Sequence, residues 1–390
     1  MDISKFTNPK MGRLAPISGI NVRRNEAYNH FAFVPTALPY EIQLENRTHT
    51  LVAKASMEVG RLQECVRRLP NPEILLHPSL AREAKSTSAL EGTYAPLQEI
   101  LEGDYLEASQ ISNSVKEIRN YMKAAERGLE LIKSKPVCIT VLSELQGILV
   151  DGTLGAHANQ GEVRTGPVII GDENRPVNEA RFIPPPAGEI LMMGYHEWEA
   201  WINAVNDISP IIKMALGHYQ FETLHPYTDG NGRVGRLIVS LQFVEQGLLN
   251  PPVLNLSDWL NRDKEKYKDE LLALSREGNF DRWISYFAEA IIGQAEREIN
   301  RIQELLDFRN GLAATLNASK ARGLVLKLPD ELIANPVLTV NRIANAFHVT
   351  YPPASSAVAK LVKLGVLKEV TGKKYNKIYV CFDLLRMLEK

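Results

Sequence analysis

The residues from 225 to 236 run His-Pro-Tyr-Thr-Asp-Gly-Asn-Gly-Arg-Val-Gly-Arg. Together they hold the groups needed to act on a phosphate. The glycines at 230, 232 and 235 let the backbone turn sharply and approach a ligand closely. A helix opening at that turn aims its unpaired N–H groups and the positive end of its dipole into it. Arg233 and Arg236 lie three apart, hence on one side of that helix, and form two guanidinium clamps for an anion. His225 is a candidate base and Asp229 a candidate Mg²⁺ ligand. The turn is not a Walker A loop, because no Lys-Ser or Lys-Thr follows its glycines.

Each of these residues alone has an ordinary structural explanation: a core histidine, a glycine turn, an arginine pair on a solvated helix face. Their concentration within one stretch argues for a site. Two apolar patterns at helical spacing must position it. Ile211, Ile212, Ala215, Leu216, Tyr219, Phe221 and Leu224 lead in, and Leu237, Ile238, Leu241, Phe243 and Val244 lead out.

The stretch closely resembles the signature of the Fic family, His-x-Phe-x-(Asp/Glu)-Gly-Asn-Gly-Arg-x-x-Arg. Tyr227 stands where Phe is usual, a mild change if its hydroxyl finds a partner. The resemblance implies an enzyme that transfers AMP from ATP to a protein hydroxyl. It implies that Asp229 holds Mg²⁺ against the phosphates and that the amides of Gly230, Asn231 and Gly232 cradle them. Arg233 and Arg236 would bind the β and γ groups, with Val234 and Gly235 completing the ATP-binding run. His225 would take the proton from a Ser, Thr or Tyr hydroxyl as it attacks the α-phosphorus. Pyrophosphate would leave.

A helix over about 78–90 ends Ser86-Thr87-Ser88-Ala89-Leu90-Glu91-Gly92-Thr93. Gly92 is a natural helix stop, and Thr87 and Glu91, at i and i+4, share a face. Read alone, this is a polar helix end with a glycine cap. Beside the Fic motif it resembles the family's inhibitory sequence, (Ser/Thr)-x-x-x-Glu-(Gly/Asn), with Thr87, Glu91 and Gly92 in the fixed places. The resemblance implies that Glu91 pairs with Arg236 and fills the place of a γ-phosphate. The run Gly161 to Gly171 has β-branched residues and glycines that suit a short hairpin. It resembles the family's flap, in which Val168, Ile169 and Ile170 would hold a target segment by strand addition. After the motif, Asn261, Arg262 and Tyr267 resemble residues that border the base and ribose. Tyr267-Lys268 replaces the usual pair of adjacent tyrosines.

Composition bounds the rest. The chain has 390 residues, 45% of them hydrophobic, and a net charge of −1, which suits a soluble protein of two or three domains with no global field toward nucleic acid or membrane. There is no membrane-length apolar run and no apolar signal region. Cys65, Cys138 and Cys381 are too scattered for a metal or disulfide framework. The expected location is a reducing cytoplasm. Residues 1–45 read as an irregular arm, anchored at Phe33-Val34-Pro35 and Ala37-Leu38-Pro39. The division expected is 1–110 (arm and helices, including the inhibitory one), 111–317 (catalytic core) and 318–390. In the last part, a short helix from Leu338, a turn, a helix from Ala354 to Gly365 and two strands around Thr371-Gly372-Lys373-Lys374 resemble a winged helix, a module that binds DNA or docks protein. The fold expected is thus all-α, a Fic core with one β-hairpin flap and a C-terminal winged helix-turn-helix. Family precedent adds homodimerisation. Two rival functions stay open: removal of AMP at the same site with Glu91 aligning a water, and a DNA-binding regulator whose core only senses ATP.

Overall fold

A computed structural model describes residues 1–21, 24–69, 71–153, 160–172 and 174–390. The chain begins with a hairpin, β1 (Gly12–Asn21) and β2 (Glu26–Pro35). The helices α1 (Asn46–Arg67), α2 (Leu76–Leu90), α3 (Leu97–Glu102), α4 (Asn113–Leu131), α5 (Ile139–Val150), α6 (Glu189–Asn203), α7 (Pro210–Leu224) and α8 (Asn231–Glu245) follow. Next come α9 (Leu256–Leu260), α10 (Lys264–Glu277), α11 (Phe280–Ala318) and α12 (Leu328–Ala334). The tail holds β3 (Val337–Thr339), α13 (Val340–Ala346), α14 (Tyr351–Lys363), β4 (Lys368–Glu369), β5 (Ile378–Val380) and α15 (Phe382–Glu389). The protein is therefore mostly helical, with a small hairpin sheet. No helix among the described residues is long and apolar enough to cross a membrane.

The helix α7 is the centre of the core, because its apolar residues leave almost no polar face. Ile211, Met214, Ala215, Leu216, Tyr219, Phe221 and Leu224 are each 1% exposed or less. Neighbouring helices reach its backbone through tryptophans: Trp198 Nε1 on α6 donates to Gly217 O (2.8 Å), and Trp283 Nε1 on α11 donates to Ala215 O (2.8 Å). The helix α8 packs against α7, and α2 lies against α4 and α9. With 39 residues, α11 runs about 58 Å and joins the core to the tail.

The sequence reading of residues 1–45 as an irregular arm is corrected. Strands β1 and β2 pair antiparallel from Gly12 with Pro35 to Asn21 with Glu26. Only the base of this hairpin is packed, so most of its length shows no apolar alternation. Phe33 is the anchor, its ring centroid 5.1 Å from that of Phe6 and 5.9 Å from that of Phe182. Gly12 must be glycine there: a Cβ would fall 2.4 Å from Val34 O and 2.6 Å from the Phe33 ring.

The expected flap hairpin is also corrected. Among the described residues of 161–171 there is no strand, only one antiparallel bridge, Ile170 with Phe182. Pro167 lacks an N–H to donate to a ladder, and the glycines at 161, 166 and 171 weaken a strand by their conformational freedom.

In the tail, the strand order is β3-β5-β4, both pairings antiparallel. Leu338 and Thr339, expected to open a helix, lie in strand β3, and the helix starts at Val340. The tail is tied to the rest of the molecule near α2: Lys85 pairs with Glu389 (3.2 Å), Arg301 Nε donates to Met387 O (3.3 Å) and Tyr105 OH donates to Val337 O (3.0 Å). Behind these contacts lies a buried network in which Glu298 accepts from Arg82 (2.9 Å), Arg301 (2.7 Å) and Gln294 (2.8 Å). Arg82 belongs to α2, so helix α2 is clamped between the core and the tail.

Candidate active site

The loop from 225 to 230 is bent by two left-handed residues, His225 (φ 50°) and Gly230 (φ 80°). His225 caps α7, its N–H donating to Phe221 O, and Gly230 caps the start of α8. Asn231 staples the bend: its Oδ1 accepts from Tyr227 N (2.8 Å) and its Nδ2 donates to Tyr227 O (2.7 Å). The Tyr227 ring is fully buried, and its hydroxyl meets Tyr195 OH at 3.0 Å. That is the partner a tyrosine in this place requires.

Arg164 fixes the loop from the other side. It is 2% exposed. Its Nε donates to His225 O (2.8 Å), its Nη2 to Pro185 O (2.6 Å) and its backbone N–H to Pro226 O (2.9 Å). With Nη1 donating to Gly166 O (3.0 Å), the carbonyls of three segments converge on one guanidinium. Burial without a carboxylate partner pulls the Arg164 pKa down to about 10, so it stays charged at neutral pH.

His225 Nδ1 lies 3.3 Å from Glu222 O. That contact requires the proton on Nδ1 and leaves Nε2 bare, able to accept one. Burial, and then the Arg164 charge, lower its pKa to about 4. The imidazole is neutral at pH 7, the form a general base needs.

A cavity of about 150 Å³ opens beside it, lined by Leu90, Glu91, Ile170, Glu222, Arg236 and Tyr267 among others. Arg236 is engaged from the far wall. Its Nε donates to Thr87 Oγ1 (2.7 Å), and its Nη2 donates to Thr87 O (3.1 Å) and Glu91 Oε1 (2.5 Å). Burial favours the protonated Glu91 carboxyl, but Arg236 beside it outweighs that and holds it below the usual carboxylate range. Gly92 (φ 93°) stops α2 at this point, with Thr93 N–H closing back on Ser88 O (2.9 Å). A Cβ on Gly232 would fall 2.3 Å from Glu91 Oε1, so the carboxylate lies against the first turn of α8.

The remaining candidates are placed as follows. Asp229 Oδ1 accepts from Gly230 N (2.6 Å) and stands 3.5 Å from Arg233 Nη2, so the Gly230 amide is occupied in this state. Among the described residues no group of three or more His, Cys, Asp or Glu side chains is placed to hold a metal. A single carboxylate suits Mg²⁺ when phosphates and waters complete its octahedron, and Asp229, 39% exposed, fits that case. Val234 is in the core, 0% exposed. Gly235 faces Glu222, whose Oε1 would be 2.4 Å from a Cβ there. Tyr267 lines the cavity, with its hydroxyl on His218 Nε2 (2.7 Å). Asn261 and Arg262 sit in a short turn and do not line it; Arg262 Nη2 reaches Gln294 Oε1 instead (3.4 Å). Of the flap residues, Ile170 reaches the cavity, while Val168 and Ile169 lie along the segment leading to it.

Sequence reasoning missed Arg164, Glu222 and Glu117. Glu117, on α4, accepts from Arg233 Nη1 at 2.5 Å. Burial raises the Glu222 carboxyl to about 7. Only its position three residues before His225 could have drawn notice.

Residues 49–130 match the profile of the Fic/DOC family N-terminal region, and residues 136–243 match that of the Fic/DOC family. Residues 136–243 therefore carry a Fic/DOC domain, with a Fic/DOC N-terminal region before it. Similar proteins include the protein adenylyltransferase Fic of Drosophila mojavensis, 28% identical over 131 residues, which are 33% of this chain and 23% of that one. A probable protein adenylyltransferase of Aquifex aeolicus is 28% identical over 122 residues, 31% of this chain and 35% of its own length. The match thus spans about a third or less of each curated relative. Among solved structures, a Fic family protein from Desulfovibrio desulfuricans aligns with a TM-score of 0.57 at 17% identity, covering 88% of this chain and 98% of that one. Fic-1 of C. elegans aligns with a TM-score of 0.51 at 21% identity, covering 66% and 74%. These likenesses show the Fic fold.

Proposed function

We propose that this Fic protein transfers AMP from ATP to a Ser, Thr or Tyr hydroxyl of target proteins and of itself, and that Glu91 holds it inactive. One observation carries the reading: Arg236, at the end of the motif, is gripped by Thr87 and Glu91 inside the cavity that His225 lines. A guanidinium engaged in this way cannot also clamp a triphosphate, so nucleotide and Glu91 compete for it. The names of the relatives, protein adenylyltransferases, point to the same reaction.

In the active state the triphosphate lies over the first turn of α8, where the amides of Asn231 and Gly232 and the dipole favour negative charge. Arg233 and Arg236 bind the β and γ groups. Asp229 would hold Mg²⁺, which would neutralise phosphate charge when bound. The bare Nε2 of His225 takes the hydroxyl proton as that oxygen attacks the α-phosphorus. The target segment would lie along 168–170, where Ile170 bridges to Phe182. Tyr267 and the apolar wall around Leu271 face the base; Asn261 and Arg262 would join only by a shift of their turn. The natural unit boundaries remain those read above, near 110 and 318.

We also read the tail as a winged helix, with α13 and α14 as its helix pair, β4 and β5 as the wing, and Lys373 and Lys374 at the tip. It would contact DNA or dock a protein. The protein is expected to work in the cytoplasm, and homodimerisation is left to measurement. The test of the reaction is intact-mass spectrometry after incubation with ATP and Mg²⁺. Glu91→Gly should gain the mass of AMP and Glu91→Gly/His225→Ala should not. No gain in either variant, on itself or on lysate proteins, would remove the transferase reading. If Glu91→Ala instead abolished AMP loss from a modified target, removal would be the main activity.

A further inference from the structure

Glu117 projects from α4 toward the motif helix beside the Glu91 turn, and its Oε1 accepts two hydrogen bonds. One comes from Arg233 Nη1 (2.5 Å), the other from the hydroxyl of Thr93 (3.1 Å). Thr93 is the residue directly after Gly92. The turn that carries Glu91 is therefore anchored on both sides. Glu91 reaches Arg236 (2.5 Å), and Thr93 reaches Arg233 through Glu117. Both arginines are nearly inaccessible, with side-chain exposures of 4% and 3%, so the turn is fastened to the buried parts of α8 rather than to flexible surface groups.

We propose that Glu117 is a positioning residue of the inhibitory segment: it couples Arg233 to Thr93, so that the two motif arginines lock the Glu91 turn together. The inference rests on the reading of Glu91 as the inhibitor. Lifting Glu91 from the cavity rotates the turn and breaks the Thr93–Glu117 bond. A triphosphate that draws Arg233 away removes the contact that fixes the Glu117 carboxylate in place, so Thr93 is no longer tied to the motif helix. Nucleotide arrival at one arginine thus weakens the hold on the other. If Glu117 only supported Arg233, the Thr93 hydroxyl would have no effect on rate.

The experiment compares initial rates of labelling from α-³²P-ATP for wild type, Thr93→Val, Glu117→Gln, Glu91→Gly and Glu91→Gly/Thr93→Val. Thr93 touches neither cavity nor motif directly, and valine keeps its shape. Losing a hydrogen bond to a charged acceptor should raise the wild-type rate by roughly 10-fold or more, mainly in kcat. The same change in the Glu91→Gly background should do nothing, since the latch is already open. Glu117→Gln should also activate wild type. Wild-type rates in Thr93→Val, or equal activation with and without Glu91, would overturn the proposal, as would a fall in rate in Glu117→Gln. If Glu91→Gly itself fails to label, the transferase reading fails separately. Amide hydrogen exchange over residues 91–93 then decides the latch: it should speed up in both Thr93→Val and Glu117→Gln, and unchanged exchange in both overturns it.

Discussion

Exchanging Glu91 for Gln keeps the side chain's length and one acceptor oxygen but deletes its charge. In the structure Glu91 Oε1 takes a 2.5 Å bond from Arg236 Nη2, with the arginine side chain 3% exposed and the glutamate 39%. A hydrogen bond to a charged group contributes about 1.5–3 kcal/mol, against about 1 for a neutral acceptor. Solvent reaching the glutamate screens part of the difference. About 1 kcal/mol should therefore be lost in Glu91→Gln, and about 2 when the whole pair is removed in Glu91→Gly. If the rate follows the fraction of molecules with Arg236 free, these convert to roughly 5-fold and roughly 30-fold activation. Glu91→Asp should fall between wild type and Glu91→Gly, because it keeps the charge but reaches Arg236 poorly. Arg236→Ala should stay inactive, since the clamp goes with the pair. The assay is the initial rate of self-labelling at saturating Mg²⁺ with ATP varied. The Glu91 carboxyl lies below the usual range, so its pair persists above the ordinary carboxylate pKa and is lost as pH falls through the lowered one. The ladder should accordingly look the same at pH 6 and pH 8. Glu91→Gln labelling as fast as Glu91→Gly, or neither exceeding wild type, would refute a charge-based latch.

Other expectations follow from the same geometry. His225→Ala in the Glu91→Gly background should lose about 10²–10⁴-fold in transfer while binding ATP nearly normally by calorimetry. With its pKa lowered to about 4, His225 should keep the rate level from neutral pH down to about 5.5. The same depressed pKa makes its stability contribution full above the ordinary histidine pKa and progressively lost as pH falls toward 4, which thermal melts of wild type and His225→Ala would compare. Glu298→Leu leaves Arg82 and Arg301 buried without their carboxylate and should destabilise by about 3–5 kcal/mol in urea titrations. Any DNA binding by the tail should weaken steeply with salt, so a salt-independent gel shift would contradict a basic wing.

The site was legible where its chemistry is contiguous. His225, Asp229, Gly232 and Arg236 fall within one stretch, and Thr87, Glu91 and Gly92 within one helix end, so each could be matched to a family motif. The structure brings Glu91 to Arg236, the pairing that the resemblance implied. Arg164 and Glu117 were not legible: one sits in a loop and the other on an amphipathic helix, where an arginine or a glutamate is the expected solvent-facing residue. Their roles come from what converges on them in space. The N-terminal hairpin escaped notice because only its base is packed, around Phe33, and the rest of each strand alternates between exposed and half-buried residues without apolar contrast. The flap was over-read for the opposite reason. Val168, Ile169 and Ile170 favour strand backbone, but a ladder needs a partner, and among the described residues only Phe182 supplies one. Asn261 and Arg262 were placed by resemblance alone, and neither lines the cavity; Arg262 reaches Gln294 on α11 instead.

The central claim is that this cavity breaks ATP at the α-phosphorus and leaves AMP on a protein hydroxyl. The direct test incubates Glu91→Gly with Mg²⁺ and ATP labelled either at the α- or at the γ-phosphate, alongside Glu91→Gly/His225→Ala. The account predicts protein-bound label from α-³²P-ATP only, stable to denaturation and absent without His225. Label from γ-³²P-ATP, or α-label that persists without His225, would contradict it.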